Sequence, residues 1–195
     1  MVRLDRIYTR SGDSGKTFLG DGSCVAKTSQ RIVVMGAVDE VNCHLGTAIS
    51  HSNDSGLQQL FSRIQQLLFD LGADLCSPIP ADPSADQCPR IAKQHTVWLE
   101  TRIDEATEKL NPLISFILPG GRPAAAGLHL ARSVCRRAEL EFLRLIESGE
   151  SATTNSEIGV FLNRLSDLLF VLARRENSDG ADDVLWKAGS AVEIN

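Results

Sequence analysis

Three arginines and two glutamates crowd into ten residues of this chain: Arg132, Arg136, Arg137, Glu139 and Glu141. Arg132, Arg136 and Glu139 follow at i, i+4 and i+7, so on a helix they form one stripe. Beside it, Leu128, Ala131, Cys135, Ala138, Phe142 and Leu145 recur at steps of three and four, the mark of a buried helix face. A solvated face of salt bridges would account for a lone i,i+4 pair. Here the arginines outnumber what local pairing uses, and a guanidinium fork suits bidentate binding of carboxylate or phosphate. The stripe reads as an anion site. Which anion depends on the rest of the chain.

A second cationic stretch lies at the N-terminus. Between Thr9 and Lys27 stand Arg10, Lys16 and Lys27, the hydroxyls of Thr9, Ser11 and Thr17, and the glycines Gly12 and Gly15. Backbone N–H groups in such a loop can form a nest for anions. It is not a Walker A loop, because Arg10 occupies the place of that motif's first glycine. Alone, a flexible basic loop explains it equally well. Joined to the arginine stripe it becomes half of a two-part polyanion site. Asp39 is then free to pair one arginine, and Asn163 offers a neutral hydrogen bond. A nucleoside triphosphate fits that inventory.

Other chemistries find less support. His44, His51, His95 and His129 are scattered, with neither HExxH nor a di-iron ExxH pair, so each reads as a structural histidine and no metal ligands are assigned. No GxSxG is present, and no cysteine has a motif around it.

The elements that must position these residues are helical. Arg31 to Ser50 carries Val34, Val38, Val41, Leu45 and Ala48 on one face, with Ser29 or Gln30 as a cap. Gly56 to Cys76 has the row Leu57, Leu60, Ile64, Leu67, Leu71 and Leu75, ended by a Ser-Pro-Ile-Pro segment. A third helix spans roughly 92–110, with Leu99, Ile103, Ala106 and Leu110 inward. The arginine helix follows an extended entry at Phe116 and a Pro119-Gly120-Gly121 turn, and ends near Ser148-Gly149. The fifth, Ile158 to Arg175, turns Leu162, Leu165, Leu169 and Leu172 inward. The fold class is all-α: an up-and-down five-helix bundle preceded by a Gly/Thr/Lys-rich loop.

At 195 residues the chain fits one domain: residues 1–30 as the N-terminal binding segment, 31–176 as the bundle, and 177–195 as a tail docked through Trp186. A net charge of −5 and 5% aromatic residues argue against a nucleic-acid partner. No apolar run approaches 18 residues, so no membrane partner is expected. Five cysteines without a CxxC pair read as free thiols in the cytoplasm, with Cys43 and Cys135 buried.

IYTRSGDSGKTFLGDGS, GAVDEVNCHLG, FILPGGRPAAAGLHLARSVCRRAE and FLNRLSDLLFVLARREN together closely resemble the PduO-type ATP:cob(I)alamin adenosyltransferases. The resemblance implies a homotrimer with ATP and a corrinoid at the subunit interfaces. It implies transfer of the 5′-deoxyadenosyl group to cobalt and release of triphosphate, with cob(I)alamin as nucleophile. Thr9, Arg10, Ser11 and Gly12, with Lys16, Thr17 and Lys27, match the triphosphate segment. Arg136, Arg137, Glu139 and Asn163 match nucleotide contacts, and Asp39 and Arg132 an ion pair between subunits. Phe116 matches the aromatic residue that displaces cobalamin's lower axial base. Mg²⁺ is implied by the triphosphate. A corrinoid reductase and an adenosylcobalamin-dependent enzyme are implied partners. Leu140 departs from the arginine common at that place, and Gly127 puts a glycine near the start of the helix. The rival readings are a non-catalytic sensor or chaperone that binds ATP or adenosylcobalamin, and a purely structural helical oligomer.

Overall fold

The computed structural model describes Tyr8 and residues 10–189; Thr9 lies outside the described residues. Five helices form the body: α1 (Gln30–His51), α2 (Ser55–Cys76), α3 (Lys93–Thr107), α4 (Pro123–Leu145) and α5 (Glu157–Glu176). They pack side by side in the order α2, α1, α4, α5, α3, so the arginine helix α4 lies between α1 and α5. All six apolar residues of its spacing pattern are buried, from Leu128 to Leu145. The rows expected on α1 and α5 are buried too. On α2 the seam has shifted, with Phe61 and Leu68 inward and Leu57, Leu60 and Leu67 only partly covered. By length and composition α1 could cross a membrane, yet Val34, Val38, Val41 and Leu45 are spent on this core.

Close approach of α1 and α4 depends on Gly127. A Cβ there would lie 3.3 Å from both Cα and Cβ of Ala48. Its place near the start of α4 is therefore a crossing point for two backbones rather than a flexible joint. The preceding turn is fixed by the residue that follows α5, at the same end of the bundle. Gly121 takes a φ of 99°, and Asn177, just past α5, fills the space a side chain would need there. Asn177 accepts from the Arg122 N–H at 3.0 Å through Oδ1 and donates to the Gly120 carbonyl at 3.3 Å.

Two departures concern helix ends. Ser29 holds the N-cap position of α1, but its hydroxyl has no partner, and Gln30 instead donates to Glu141 at 2.7 Å. Arg31 is 2% exposed; it donates to Glu150 at 2.7 Å, to Thr154 at 2.8 Å and to the Leu75 carbonyl at 2.9 Å. That guanidinium joins the start of α1 to the end of α2 and to the turn after α4. Removing it would strand buried acceptors and a carboxylate.

The N-terminal loop contains a hairpin that the sequence pattern does not announce. β1 (Lys16–Phe18) pairs antiparallel with β2 (Cys24–Ala26), in register Thr17 to Val25. Buried Leu19 and a bond from the Gly20 N–H to the Cys76 carbonyl, 2.7 Å, dock it on the end of α2. The tail also pairs: Ile117 and Leu185 form an antiparallel bridge. Arg174 and Asp183, whose side chains are 8% and 3% exposed, meet at 2.9 Å and hold the tail's root.

Candidate functional site

The three arginines of α4 have different surroundings. Arg137 pairs with Glu40, tying α4 to α1. Arg136 is exposed, and among the described residues no carboxylate or other hydrogen-bond partner meets it. Arg132 is half-buried, and its Nε is shut away from water without a partner. Burial and the nearby Arg136 charge both hold the Arg132 pKa below its ordinary value. For Arg132 that condition is unusual, because an unpaired and partly desolvated charge is costly; Arg136 stays in water. Both guanidiniums have donors available to an anion.

Asp39 is exposed on α1 and lines a shallow groove of about 230 Å³ with Asn42, Cys43, Gly46, Gln65 and Phe69. Although α1 packs against α4, Asp39 and Arg132 make no ion pair in the single chain. Glu139 and Asn163 are brought together, with the amide Nδ2 donating to Oε1 at 3.0 Å. Asn163 is held in turn by Arg164 at 2.9 Å. The bond between α4 and α5 fixes the carboxylate and the amide beside the arginine stripe.

In the N-terminal loop, Arg10 adopts a φ of 63° and its guanidinium lies 5.7 Å from the Tyr8 ring centroid. Lys27 folds back over Gly12, where a Cβ would lie 2.6 Å from Nζ. Lys16 is exposed and Thr17 half-buried on β1. Turns consume part of the expected nest: the Asp13 N–H donates to Arg10 O and that of Gly15 to Gly12 O, each at 3.2 Å. No hydrogen bond or ion pair joins Lys16, Thr17 or Lys27 to Arg136, Arg137, Glu139 or Asn163.

Near the start of α4, Phe116 is 78% exposed, with Ile114, Leu118, Val184 and Trp186 also showing apolar surface. A large planar apolar ligand would find cover here. Beneath α4's surface, His129 is 3% exposed and neither ring nitrogen has a partner. Burial first, and then the Arg132 charge, lower its pKa, while Asp183 pulls weakly the other way. The folded imidazole is neutral near pH 6.5, where the unfolded one gains a proton. Stability from this group is thus complete above about pH 6.5 and is lost as pH falls towards the lower folded pKa. A urea midpoint that declines between about pH 7 and pH 5.5 should decline less in His129→Gln, compared at matched ionic strength. Equal slopes would show that other groups set the dependence.

Burial drives the Cys135 pKa upward, so the thiol stays protonated and serves as core. Cys43, expected to be buried, is exposed instead, because it lines the open groove shared with Gln65 and Phe69. The sequence pattern also missed Trp186 as part of the site. Its ring centroid lies 6.2 Å from that of Phe116, and only the pairing of tail and entry segment reveals this.

Arg132 and Arg136 on the central helix, the cations of the N-terminal loop and the exposed aromatic patch are groups that could hold a polyanion and a flat apolar ligand. Residues 7–176 match the family model for cobalamin adenosyltransferase. The corrinoid adenosyltransferase of Mycobacterium tuberculosis is 43% identical over 189 residues, 96% of each chain. Corrinoid adenosyltransferase PduO of Salmonella typhimurium is 41% identical over 173 residues, covering 89% of this chain and 50% of its own length. Among solved structures, a phenylalanine-to-alanine variant of the Lactobacillus reuteri PduO-type ATP:corrinoid adenosyltransferase, complexed with cobalamin and ATP, superposes with a TM-score of 0.84. It is 37% identical and covers 93% of this chain and 99% of its own. The chain belongs to the cobalamin adenosyltransferase family.

Proposed function

We propose that this chain transfers the 5′-deoxyadenosyl group of ATP to the cobalt of cob(I)alamin or a related corrinoid. The nucleophile is the reduced cobalt of the substrate, which attacks the ribose C5′. A cobalt–carbon bond forms, the C5′–O bond breaks, and triphosphate leaves with the electron pair. No side-chain nucleophile is required. The protein's part is to align the two substrates and to stabilise charge on the departing triphosphate.

The observation that carries the reading is the pair of arginines on α4, Arg132 and Arg136, that have no partner among the described residues, in a chain of this family. In the proposed site Arg136 binds the triphosphate, and Arg137, Glu139 and Asn163 contact the nucleotide. Thr9, Arg10, Ser11, Gly12, Lys16, Thr17 and Lys27 close over the phosphates. No hydrogen bond or ion pair joins Lys16, Thr17 or Lys27 to the stripe among the described residues, which supports a site completed between copies. The proposed assembly is a homotrimer in which Arg132 meets Asp39 of the next copy. Among the described residues no three His, Cys, Asp or Glu side chains lie together as a metal site, so Mg²⁺ would arrive on the phosphate oxygens of ATP. Phe116 faces the lower side of the corrin and displaces its axial base. A reductase that supplies cob(I)alamin and an enzyme that consumes adenosylcobalamin complete the proposal. Free thiols throughout suit the cytoplasm.

Anaerobic incubation of the protein with ATP, Mg²⁺ and chemically reduced cob(I)alamin tests the reading. The visible spectrum should convert to that of adenosylcobalamin, with triphosphate appearing in equal amount. Binding of ATP without conversion would instead favour a sensor.

A further inference from the structure

Phe116 has few neighbours of its own to hold it, being 78% exposed on a short extended segment. A surface aromatic in that position should sample several rotamers, and a ring that must displace a ligand cannot do so while it is free. Among the described residues Phe116 has one aromatic neighbour. Trp186 lies with its ring centroid 6.2 Å away and its plane tilted by 59°, inside the range favoured by aromatic pairs. The two backbones are bonded as well. The Trp186 N–H donates to Phe116 O at 2.7 Å, and the Leu118 N–H donates to Val184 O at 2.8 Å. The Ser115 hydroxyl donates to Trp186 O at 2.7 Å.

This strap is tied at its root. Asp183 accepts from Arg174 at 2.9 Å and from Asn177 at 3.1 Å, and Asn177 also holds the turn at Gly120 and Arg122. The entry segment before α4 is thus fixed by the tail at both of its ends. Trp186 remains 48% exposed, so its ring is a wall of the patch rather than a core residue.

We propose that Trp186 is a positioning residue for Phe116, its indole fixing the phenyl ring in the orientation that displaces the corrinoid's lower base. The inference rests on the reading of Phe116 given above. Trp186→Ala should lower the fraction of four-coordinate cob(II)alamin formed with ATP, seen by electron paramagnetic resonance and visible absorbance. It should raise the half-saturating cob(II)alamin concentration roughly threefold to tenfold, the size of an aromatic pair. Trp186→Phe should restore most of the signal. In a Phe116→Ala background, Trp186→Ala should add nothing, since its effect passes through the missing ring. A full four-coordinate fraction in Trp186→Ala, while Phe116→Ala loses it, overturns this inference and leaves the reading of Phe116 standing. Additive losses in the double variant overturn it too. If Phe116→Ala itself retains the full fraction, the reading of Phe116 falls, and the role of Trp186 with it.

Discussion

Replacing Arg136 by alanine should lower kcat by about a hundredfold to a thousandfold, the scale on which one preorganised donor to a developing charge acts. The side chain is exposed and lies off the buried row of α4, so the bundle loses no packing. It also breaks no internal ion pair, because no carboxylate meets it among the described residues. Thermal midpoints should therefore agree closely between wild type and variant. The kinetic signature is equally specific. An interaction made chiefly with the leaving triphosphate lowers kcat and kcat/KM together, whereas loss of uniform ATP binding would raise KM alone. Single-turnover conversion of cob(I)alamin at saturating ATP measures the first directly. Near-wild-type turnover would remove Arg136 from the mechanism. Arg136→Lys should recover part of the rate, since it keeps the charge and loses the two-pronged geometry.

Arg136 also shows how far the sequence could be read. The stripe and the buried row beside it were legible, because helical periodicity is a local property and the chain repeats it for six apolar residues. Which arginine is left without a carboxylate was not. Arg136 and Arg137 are adjacent in sequence, and only the packing of α1 decides that Arg137 receives Glu40. The same limit hid Arg31, a charged residue at a helix end that looks solvent-facing until Glu150 and Thr154 arrive from the turn after α4. The hairpin escaped notice for a different reason. Its strands are three residues long, too short for alternation to stand out among glycines and serines. Gly127 carried a signal without a direction. A glycine in a helix can mean flexibility or a close crossing, and the position of Ala48 settles which.

Phe116→Ala tests the apolar half of the site by comparing two starting states of one substrate. Conversion that begins from cob(II)alamin with a reductant should slow by about tenfold or more, equivalent to about 1.4 kcal/mol or more of added barrier. Conversion that begins from cob(I)alamin should change much less. The difference follows from the coordination of cobalt. Cob(II)alamin keeps a lower axial ligand, which raises the orbital that must accept the incoming electron. Removing that ligand makes reduction easier, and a phenyl ring in its place offers no lone pair to rebind. Cob(I)alamin has already shed the ligand, so nothing remains for the ring to displace. Stability should hardly move, since the ring is mostly in water and contributes little to the core. Equal slowing from both states would assign Phe116 to corrinoid binding in general. Slowing from cob(II)alamin alone, with an unchanged thermal midpoint, would place it at the lower face of the corrin.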